Sequence, residues 1–574
     1  MKIGRSNSWL LALIAVGAIY AVTLLTLHPS VFWSPDEGAK FIQMHGRLEE
    51  ASAAHRLSYG GKLHDPFYTF YPTAHVYPRP LWPSGVLFHW PALFPAISLP
   101  FFLAFGVWGL YVLPAVCGIL AAILVAFLAR RLEPGATLPA ILLAGLGTPL
   151  FFHSMLFFEH TLAVALGLGA LLCGTTLVSH SRRWRLGGAL AAVACLAGLL
   201  ALRDEALIFL AALAVAGTLA WTSGRAGAGR RLGILLLVLL SLAAVKAIGD
   251  TGSACRAAEL ARDITIGLSR LKDADLWRTL PFHALRVLVN NPAESGVPLA
   301  PEWAVIGLAG LGLCVLSRVV MPGPRFACWL FGAGLVGAAS VIGLCLPDRY
   351  HAVHGLLLPM PCLAVAWLPT RNDEAPSSRT ERFLGALLPT FLILHLIVTW
   401  LIHRPTGGYE WGLRYALMAY PLAAVMGAVA VARLARTERG TRRIVGLGAA
   451  ILLSAISCGY SVRGIFEVQV TKRDIQAFEQ EILNAGIPGV TDQWWLAAAL
   501  APTFVRSEFY TLNPENDLGS WLERVGSRTP SFLYVSYNTP PDAITRIGGP
   551  TATLSQRRVI QNMTFSRFLI QRKP

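Results

Sequence analysis

The sequence predicts an all-α polytopic membrane protein of about thirteen transmembrane helices, followed by a small C-terminal α/β domain. Three observations predict this class: long apolar runs recur along most of the chain, basic clusters separate them, and the end of the chain alternates strand-like with helix-like segments. Each apolar run is long enough to cross about 30 Å of hydrocarbon. The 574 residues are 55% hydrophobic and only 14% charged, which excludes an ordinary soluble multidomain protein.

The first apolar run, Trp9 to Leu27, lies where a secretory signal peptide would be. It lacks a small-residue cleavage site before the acidic residues that follow, and many more apolar runs come after it. We therefore expect a retained transmembrane helix. The nine cysteines are scattered singly, without a CxxC pair, so neither a disulfide framework nor a zinc site is indicated.

Arginine-rich clusters separate the apolar runs, and the positive-inside rule places such clusters on the cytoplasmic side. Contact with an anionic lipid leaflet accounts for the net charge of +16, so no nucleic-acid partner is indicated. With the N-terminus cytoplasmic, this sorting predicts spans at roughly 9–28, 109–129, 137–153, 160–178, 186–202, 206–222, 232–249, 302–317, 326–346, 355–369, 383–402, 415–432 and 443–462.

The connections left for the outer side include a long first outer loop, residues 29–108. Within it, the run 85–105 is apolar enough to span the membrane. A span there would move Arg130 and Arg131 to the outer side, so we predict a juxtamembrane segment on the outer face. The transmembrane domain then covers residues 1–462, including the first outer loop.

The last part of the chain, residues 463–574, changes character. Strand-like runs at 531–537 and 557–570 alternate with a helix-like segment at 517–526. This alternation predicts a small α/β domain on the extracytoplasmic side.

The acidic pair Asp36 and Glu37 follows the first span in the segment SPDEG. An acid that ends a helix and faces water is one explanation. Three features favour a functional site. Pro35 and Gly38 flank the acidic pair and set its backbone conformation. Cations follow the pair at Lys40, His45 and Arg47. A carboxylate near membrane depth is also unfavourable in free energy, so its presence there indicates a function.

A second acidic motif, Glu159 followed by His160, lies in a very short predicted outer loop within FFEHT. A carboxylate there requires a partner or a water-filled cavity. The alternative is a helix-end residue that reaches water.

The triplet Arg203-Asp204-Glu205 interrupts two apolar runs with almost no loop. The planar guanidinium of Arg203 suits the oxygens of an anionic headgroup such as a phosphate. An internal pair between Arg203 and a neighbouring carboxylate is the alternative.

Further cations lie in predicted outer segments. Arg414 and Tyr415 lie at the start of a predicted span, after Gly407, Gly408 and Trp411. An aromatic belt at the membrane interface explains Trp and Tyr but not the spacing of the glycines, Trp411 and Arg414. Arg79, within YPRPLWP, and Arg349, within LPDRYHAVHG, are the others.

Taken together, these pieces resemble the GT-C superfamily of multi-span glycosyltransferases, which includes protein O-mannosyltransferases and the aminoarabinose lipid A transferase. The pieces are SPDEG after the first span, YPRPLWPSG in a long first outer loop, LFFEHT in the next outer loop, and GGYEWGLRYALMAYPL. The last is similar to a Gly-Trp-Gly-x-Arg-Tyr…Pro stretch common in bacterial members. The resemblance covers about residues 1–460 and implies a GT-C-like fold in a bacterial inner membrane.

The resemblance implies a polyprenyl-phosphate-linked sugar donor, a hexosyl or pentosyl transfer on the outer face, and inversion at the anomeric carbon. A lipid, polysaccharide or protein hydroxyl is the acceptor, and membrane lipids surround the enzyme. Asp36 is favoured over Glu37 as general base, with Glu159 as the second acid. The candidate donor-phosphate cations are Arg79, Arg203, Arg349 and Arg414, and the candidate residues around the acceptor are His160, Lys40 and Tyr415.

No cofactor is implied, except that in metal-using members the second acid helps to hold a divalent cation, Mg²⁺ or Mn²⁺. No DxD spacing supports a nucleotide-sugar metal site, and no Walker A motif supports ATP-driven transport. Three alternatives stay open: a transporter or flippase for a lipid-linked glycan, a ligase or polymerase that joins preassembled glycans, and a non-catalytic scaffold. Against a transporter, the acids lie on one face rather than near the bilayer midplane.

Overall fold

The computed structural model describes most of the chain in separate ranges. They are 8–49, 59–71, 78–81, 85–88, 91–175, 182–203, 205–221, 302–319, 325–345, 356–369, 379–401, 413–513, 517–537, 552–560 and 563–570, with isolated positions between 269 and 288. The predicted span 232–249 lies outside the described residues, as do Asp204 and Arg349.

The chain divides into two compact units. The helical unit contains Met1–Leu25 and Tyr111–Ile465, and the loop–tail unit contains Thr26–Leu110 and Phe466–Pro574. Most of the first outer loop thus belongs to the same unit as the C-terminal segment.

In chain order, the helices of the described residues are α1 (Ser8–Thr26), α2 (Pro35–Glu49), α3 (Leu93–Phe105), α4 (Gly109–Leu132), α5 (Thr137–Leu146), α6 (Leu150–His153), α7 (His160–Thr175), α8 (Arg182–Leu202), α9 (Ala206–Trp221), α10 (Glu302–Val319), α11 (Arg325–Cys345), α12 (Arg379–Leu401), α13 (Ala419–Thr437), α14 (Gly440–Ala485), α15 (Trp494–Ala499), α16 (Ala501–Phe504) and α17 (Leu518–Arg524). The strands are β1 (Pro78–Leu81), β2 (Gly85–Phe88), β3 (Gly489–Thr491), β4 (Phe509–Thr511), β5 (Ser531–Tyr537), β6 (Ala552–Ile560) and β7 (Met563–Ile570).

Six helical stretches of the described residues are long and apolar enough to cross a membrane. They are α1, the stretch Leu93–Leu132 that joins α3 and α4, and the helices α11, α12, α13 and α14. Shorter apolar helices accompany them, among them α7, α9 and parts of α8 and α10. A mostly helical, multi-span architecture is confirmed, but the predicted number of about thirteen spans is not.

Two predicted spans have a different structure. Of the predicted span 355–369, the structure describes residues 356–369, and these contain no α-helix. Pro361–Trp367 forms a buried 3₁₀ helix, because Pro359 and Pro361 each lack an amide donor and restrict the residue before them. The predicted span 137–153 is divided into α5 and α6, since Pro149 has the same effect after α5 ends.

Within the helical unit, neighbouring helices pack in pairs. Helix α7 packs against α8, α9 against α12, and α10 against α11, while α13 contacts both α5 and the 3₁₀ helix. Helix α13 also contacts α12. These pairs place the start of α7, the turn between α8 and α9, and the segment before α13 near one another.

The loop–tail unit contains a five-stranded sheet with the order β4-β3-β5-β7-β6. Strand β3 pairs in parallel with β4 and β5, whereas β7 is antiparallel to β5 and β6. The small C-terminal α/β fold is therefore confirmed: the strand predicted at 531–537 has those bounds, α17 lies within 517–526, and the run 557–570 contains the end of β6 and all of β7.

Helix α14 continues well beyond the predicted end of the last span at 462. It reaches Ala485 because no proline occurs until Pro488, and Gly486 then adopts a φ of 59°, which ends the helix. The residues of α14 from Phe466 onward belong to the loop–tail unit, where α2 packs against α15 and α16.

Candidate active site

The acidic pair opens α2 and is part of a capping box. Pro35 occupies the first helical position and Ser34 precedes it, so SPDE matches the S-x-x-E start signal. The Ser34 hydroxyl accepts a hydrogen bond from the Asp36 amide at 3.2 Å. Oε2 of Glu37 accepts hydrogen bonds from the amides of Trp33 and Ser34, both at 3.0 Å. The Glu37 carboxylate is thus engaged by the backbone at the start of α2.

The two carboxylates have different surroundings. The Glu37 side chain is 0% exposed, and it interacts electrostatically with Lys472 of α14, which is also 0% exposed. Asp36 is half-buried at the helix N-terminus, where the helix dipole favours a negative charge. This arrangement favours a structural role for Glu37 at the start of α2.

Helix α2 lies directly against the start of the C-terminal fold. A Cβ atom on Gly38 would be 1.8 Å from the carbonyl oxygen of Ala498, so only glycine permits this approach. The Phe32 amide donates to the Ala499 carbonyl at 2.9 Å. Lys40, one turn after Asp36, is buried. Helix α15 therefore fixes the helix that carries the acidic pair.

In the helical unit, Arg203 is the centre of a buried polar cluster. Its Nη1 lies 2.8 Å from Oε1 of Glu159 and 2.7 Å from Nδ1 of His160, and its Nε lies 3.0 Å from Oε2 of Glu205. Burial opposes the charge of Arg203, but Glu205 and Glu159 outweigh it and raise the pKa of the guanidinium above its usual value. Arg203 thus forms the internal pair that was one of its two predicted roles.

A second guanidinium lies beside the first. Arg414 begins a short 3₁₀ turn before α13, and its Nη2 donates to the Tyr415 hydroxyl at 2.9 Å. The Cζ atoms of Arg414 and Arg203 lie 4.9 and 5.5 Å from the centre of the Tyr415 ring. The ring therefore contacts both cations and orients them.

These side chains form one end of a pocket. Its polar end consists of His160, Arg203, Glu205 and Arg414, with Tyr415 beside them. Its remaining walls are mostly apolar: Ala163, Val164, Leu199, Ala206, Phe209, Phe391, Leu417 and Met418. A cavity that is charged at one end and apolar along its walls fits an amphipathic ligand with an anionic head.

The structure brings five of the predicted site residues together: Glu159, His160, Arg203, Arg414 and Tyr415. Asp36, Glu37 and Lys40 lie on α2 in the loop–tail unit. Arg349 and the side chain of Arg79 lie outside the described residues. Within the described ranges, no three His, Cys, Asp or Glu side chains come together as a metal ion would require.

Glu205 is the neighbouring carboxylate that the sequence offered as one alternative partner of Arg203, and the structure shows this pair. No signal in the sequence indicated Lys472, because it is one of several charged residues in the part of α14 from Phe466 onward.

Neither a family model nor a curated protein sequence matches the chain. The crystal structure of ArnT from Cupriavidus metallidurans in the apo state matches over 98% of each chain, with 12% identity and a TM-score of 0.52. The chain has the GT-C fold. The same ArnT bound to undecaprenyl phosphate gives 13% identity and a TM-score of 0.50, again over 98% of each chain. The apo oligosaccharyltransferase of Archaeoglobus fulgidus gives 14% identity and a TM-score of 0.49. This match covers 94% of the present chain and 70% of the archaeal chain.

ArnT, which has TM-scores of 0.52 and 0.50 with this chain, is a GT-C glycosyltransferase. The GT-C resemblance read from the sequence is therefore confirmed for the fold, and the chain is a multi-pass membrane protein. Since one fold can carry different activities, the activity of this chain depends on its own side chains.

Proposed function

We propose that this chain is a glycosyltransferase that moves a sugar from a polyprenyl-phosphate donor to an acceptor hydroxyl on the outer face of the membrane, with inversion at the anomeric carbon. One observation carries the proposal: the pocket in the helical unit has two arginines at one end and apolar walls along the rest. The GT-C fold, shared with an ArnT structure that has undecaprenyl phosphate bound, supports it.

The two arginines have different tasks under this proposal. Arg203 is held by Glu159 and Glu205, so its position is fixed before any ligand arrives. Arg414 is oriented by the ring and hydroxyl of Tyr415. We assign the donor phosphate to Arg414, with Arg203 as the second cation, because Tyr415 orients both guanidinium groups and an oriented guanidinium stabilises charge that develops on a leaving group.

The chemistry at the sugar is a single displacement. The acceptor oxygen bonds to the anomeric carbon as the bond from that carbon to the phosphate oxygen breaks, and the electron pair leaves with polyprenyl phosphate. The Asp36 carboxylate takes the proton of the acceptor hydroxyl as its oxygen becomes nucleophilic. Attack opposite the leaving group inverts the anomeric configuration.

Orientation follows from the charge distribution of the loops. We place the N-terminus in the cytoplasm of a bacterial inner membrane, with the first outer loop and the segment 463–574 on the outer face, because the arginine-rich connections then lie on the cytoplasmic side. Acceptors are then lipids, polysaccharides or proteins of the outer face.

Arg414→Gln tests the phosphate assignment. Loss of one charge-assisted hydrogen bond costs about 1.5–3 kcal/mol, so we expect the Kd for polyprenyl phosphate to rise about 10- to 100-fold. Binding to the purified protein in nanodiscs measures the effect. Arg183→Gln, at an exposed position near the start of α8, is the matched control and should bind like the wild type. Equal Kd values for the wild type and Arg414→Gln would contradict the assignment.

A further inference from the structure

The sheet of the loop–tail unit has a switch point at β3. From β3 the chain passes to β4 on one side and then to β5 on the other, and all three strands are parallel. In open parallel sheets, the crevice at the carboxyl ends of strands on either side of such a point is the usual place for a ligand.

Aromatic and polar side chains lie at this edge. Asp492 and Gln493 follow strand β3 directly, and Trp495 is the second residue after Gln493. Strand β5 ends at Tyr537. The rings of Trp495 and Tyr537 are 5.8 Å apart and nearly perpendicular. Trp495 Nε1 donates to Oε1 of Gln493 at 3.1 Å, and Nε2 of Gln493 donates to Oδ1 of Asp492 at 2.8 Å. The hydrogen bonds fix a row of polar groups beside an aromatic wall.

We propose that this edge binds an uncharged saccharide, which is the acceptor under the proposed function. The rings of Trp495 and Tyr537 are half-buried, so part of each can pack against the apolar C–H face of a sugar ring. The Asp492 carboxylate is exposed and accepts hydrogen bonds from neighbouring hydroxyl groups. Its negative charge disfavours an anionic ligand such as a phosphate or an acidic glycan.

The position of the edge supports the acceptor role. Helix α15 begins at Trp494, and four residues later its Ala498 carbonyl touches Gly38 of α2, two residues after Asp36. Four helical residues rise about 6 Å. A saccharide held at the edge is therefore about one helical turn from α2, the helix that carries the proposed general base, Asp36, in its first turn.

Saturation-transfer NMR on the full-length protein in nanodiscs tests the site without any donor. The probes are mannotetraose, maltotetraose and arabinotetraose, with tetragalacturonic acid and a serine- and threonine-rich decapeptide as comparators. We expect transfer to at least one uncharged oligosaccharide, reduced at least five-fold in Trp495→Ala and in Asp492→Asn. Glu523→Gln changes an exposed carboxylate near the end of α17, and we expect the wild-type signal from it.

The outcomes separate this inference from the proposed function. Equal signals in the wild type and Asp492→Asn, which is nearly isosteric, would overturn the site, and so would a preference for the acidic glycan or the peptide. If the chain transfers sugar but Trp495→Ala and Asp492→Asn leave the acceptor KM unchanged, the saccharide site is wrong and the proposed function is supported. If the oligosaccharide binds but no sugar is transferred from a polyprenyl-phosphate donor, the saccharide site is supported and the proposed function is wrong.

Discussion

Replacing Asp36 by Asn should lower the rate of sugar transfer by about 10²- to 10⁴-fold, the usual contribution of a positioned general base. Asparagine keeps the size of the side chain and is well tolerated at helix N-termini, but it cannot take the proton of the acceptor hydroxyl. Release of polyprenyl phosphate from a polyprenyl-phosphate sugar measures the rate. The Kd for polyprenyl phosphate should change little, because the proposed phosphate residues lie on other elements.

The matched control for this variant is Asp517→Asn. Asp517 is exposed at the start of α17, where its Oδ1 accepts a hydrogen bond from the Ser520 amide at 2.9 Å, and asparagine caps a helix equally well. We expect transfer at the wild-type rate from this control. Wild-type transfer by Asp36→Asn would remove Asp36 from the mechanism and leave Glu37 or Glu159 as the acid to examine.

Replacing Lys472 by Met should lower the free energy of unfolding of the loop–tail unit, because it removes a cation whose charge is favourable for the buried Glu37 carboxylate. Both side chains are 0% exposed, so the change leaves the Glu37 carboxylate buried without the charge of Lys472. Thermal unfolding and the rate of proteolysis of the full-length protein measure the effect. Transfer should fall as well, since Glu37 caps the helix that carries Asp36.

Two further variants separate pairing from a general loss of charge. Arg473→Met changes an exposed neighbour on the same helix and should leave stability nearly unchanged. The double variant Lys472→Met with Glu37→Gln removes both charges and should recover part of the lost stability. If Lys472→Met and Arg473→Met unfold at the same temperature, the electrostatic account of this contact is wrong.

Much of the helical architecture could be predicted because apolar length is a local property of the sequence. The runs at 326–346 and 383–402 became α11 and α12 nearly as predicted. The same signal failed at 355–369, where the composition is apolar but two prolines prevent a regular helix. Hydropathy reports that a segment is buried, and the backbone restrictions of proline decide whether it is helical.

The site was predictable only in part, because charge pairing depends on contacts far apart in sequence. The contact of Arg203 with Glu159 joins positions 44 residues apart, whereas the sequence offered only a neighbouring carboxylate as the alternative partner of Arg203. The capping box at Ser34 could have been read from SPDE alone. Lys472 lies more than 400 residues from Glu37, and nothing in its local sequence distinguishes a buried lysine from a solvated one.

Under the proposed function, this chain breaks the bond between a sugar and a polyprenyl phosphate. The most direct measurement follows a polyprenyl-phosphate sugar in proteoliposomes that contain the wild-type protein and a hydroxyl acceptor. We expect free polyprenyl phosphate and glycosylated acceptor to form in equal amounts, with the anomeric configuration inverted. Passage of the intact lipid-linked sugar across the bilayer, with its sugar–phosphate bond unbroken and no polyprenyl phosphate released, would contradict it and would establish a transporter.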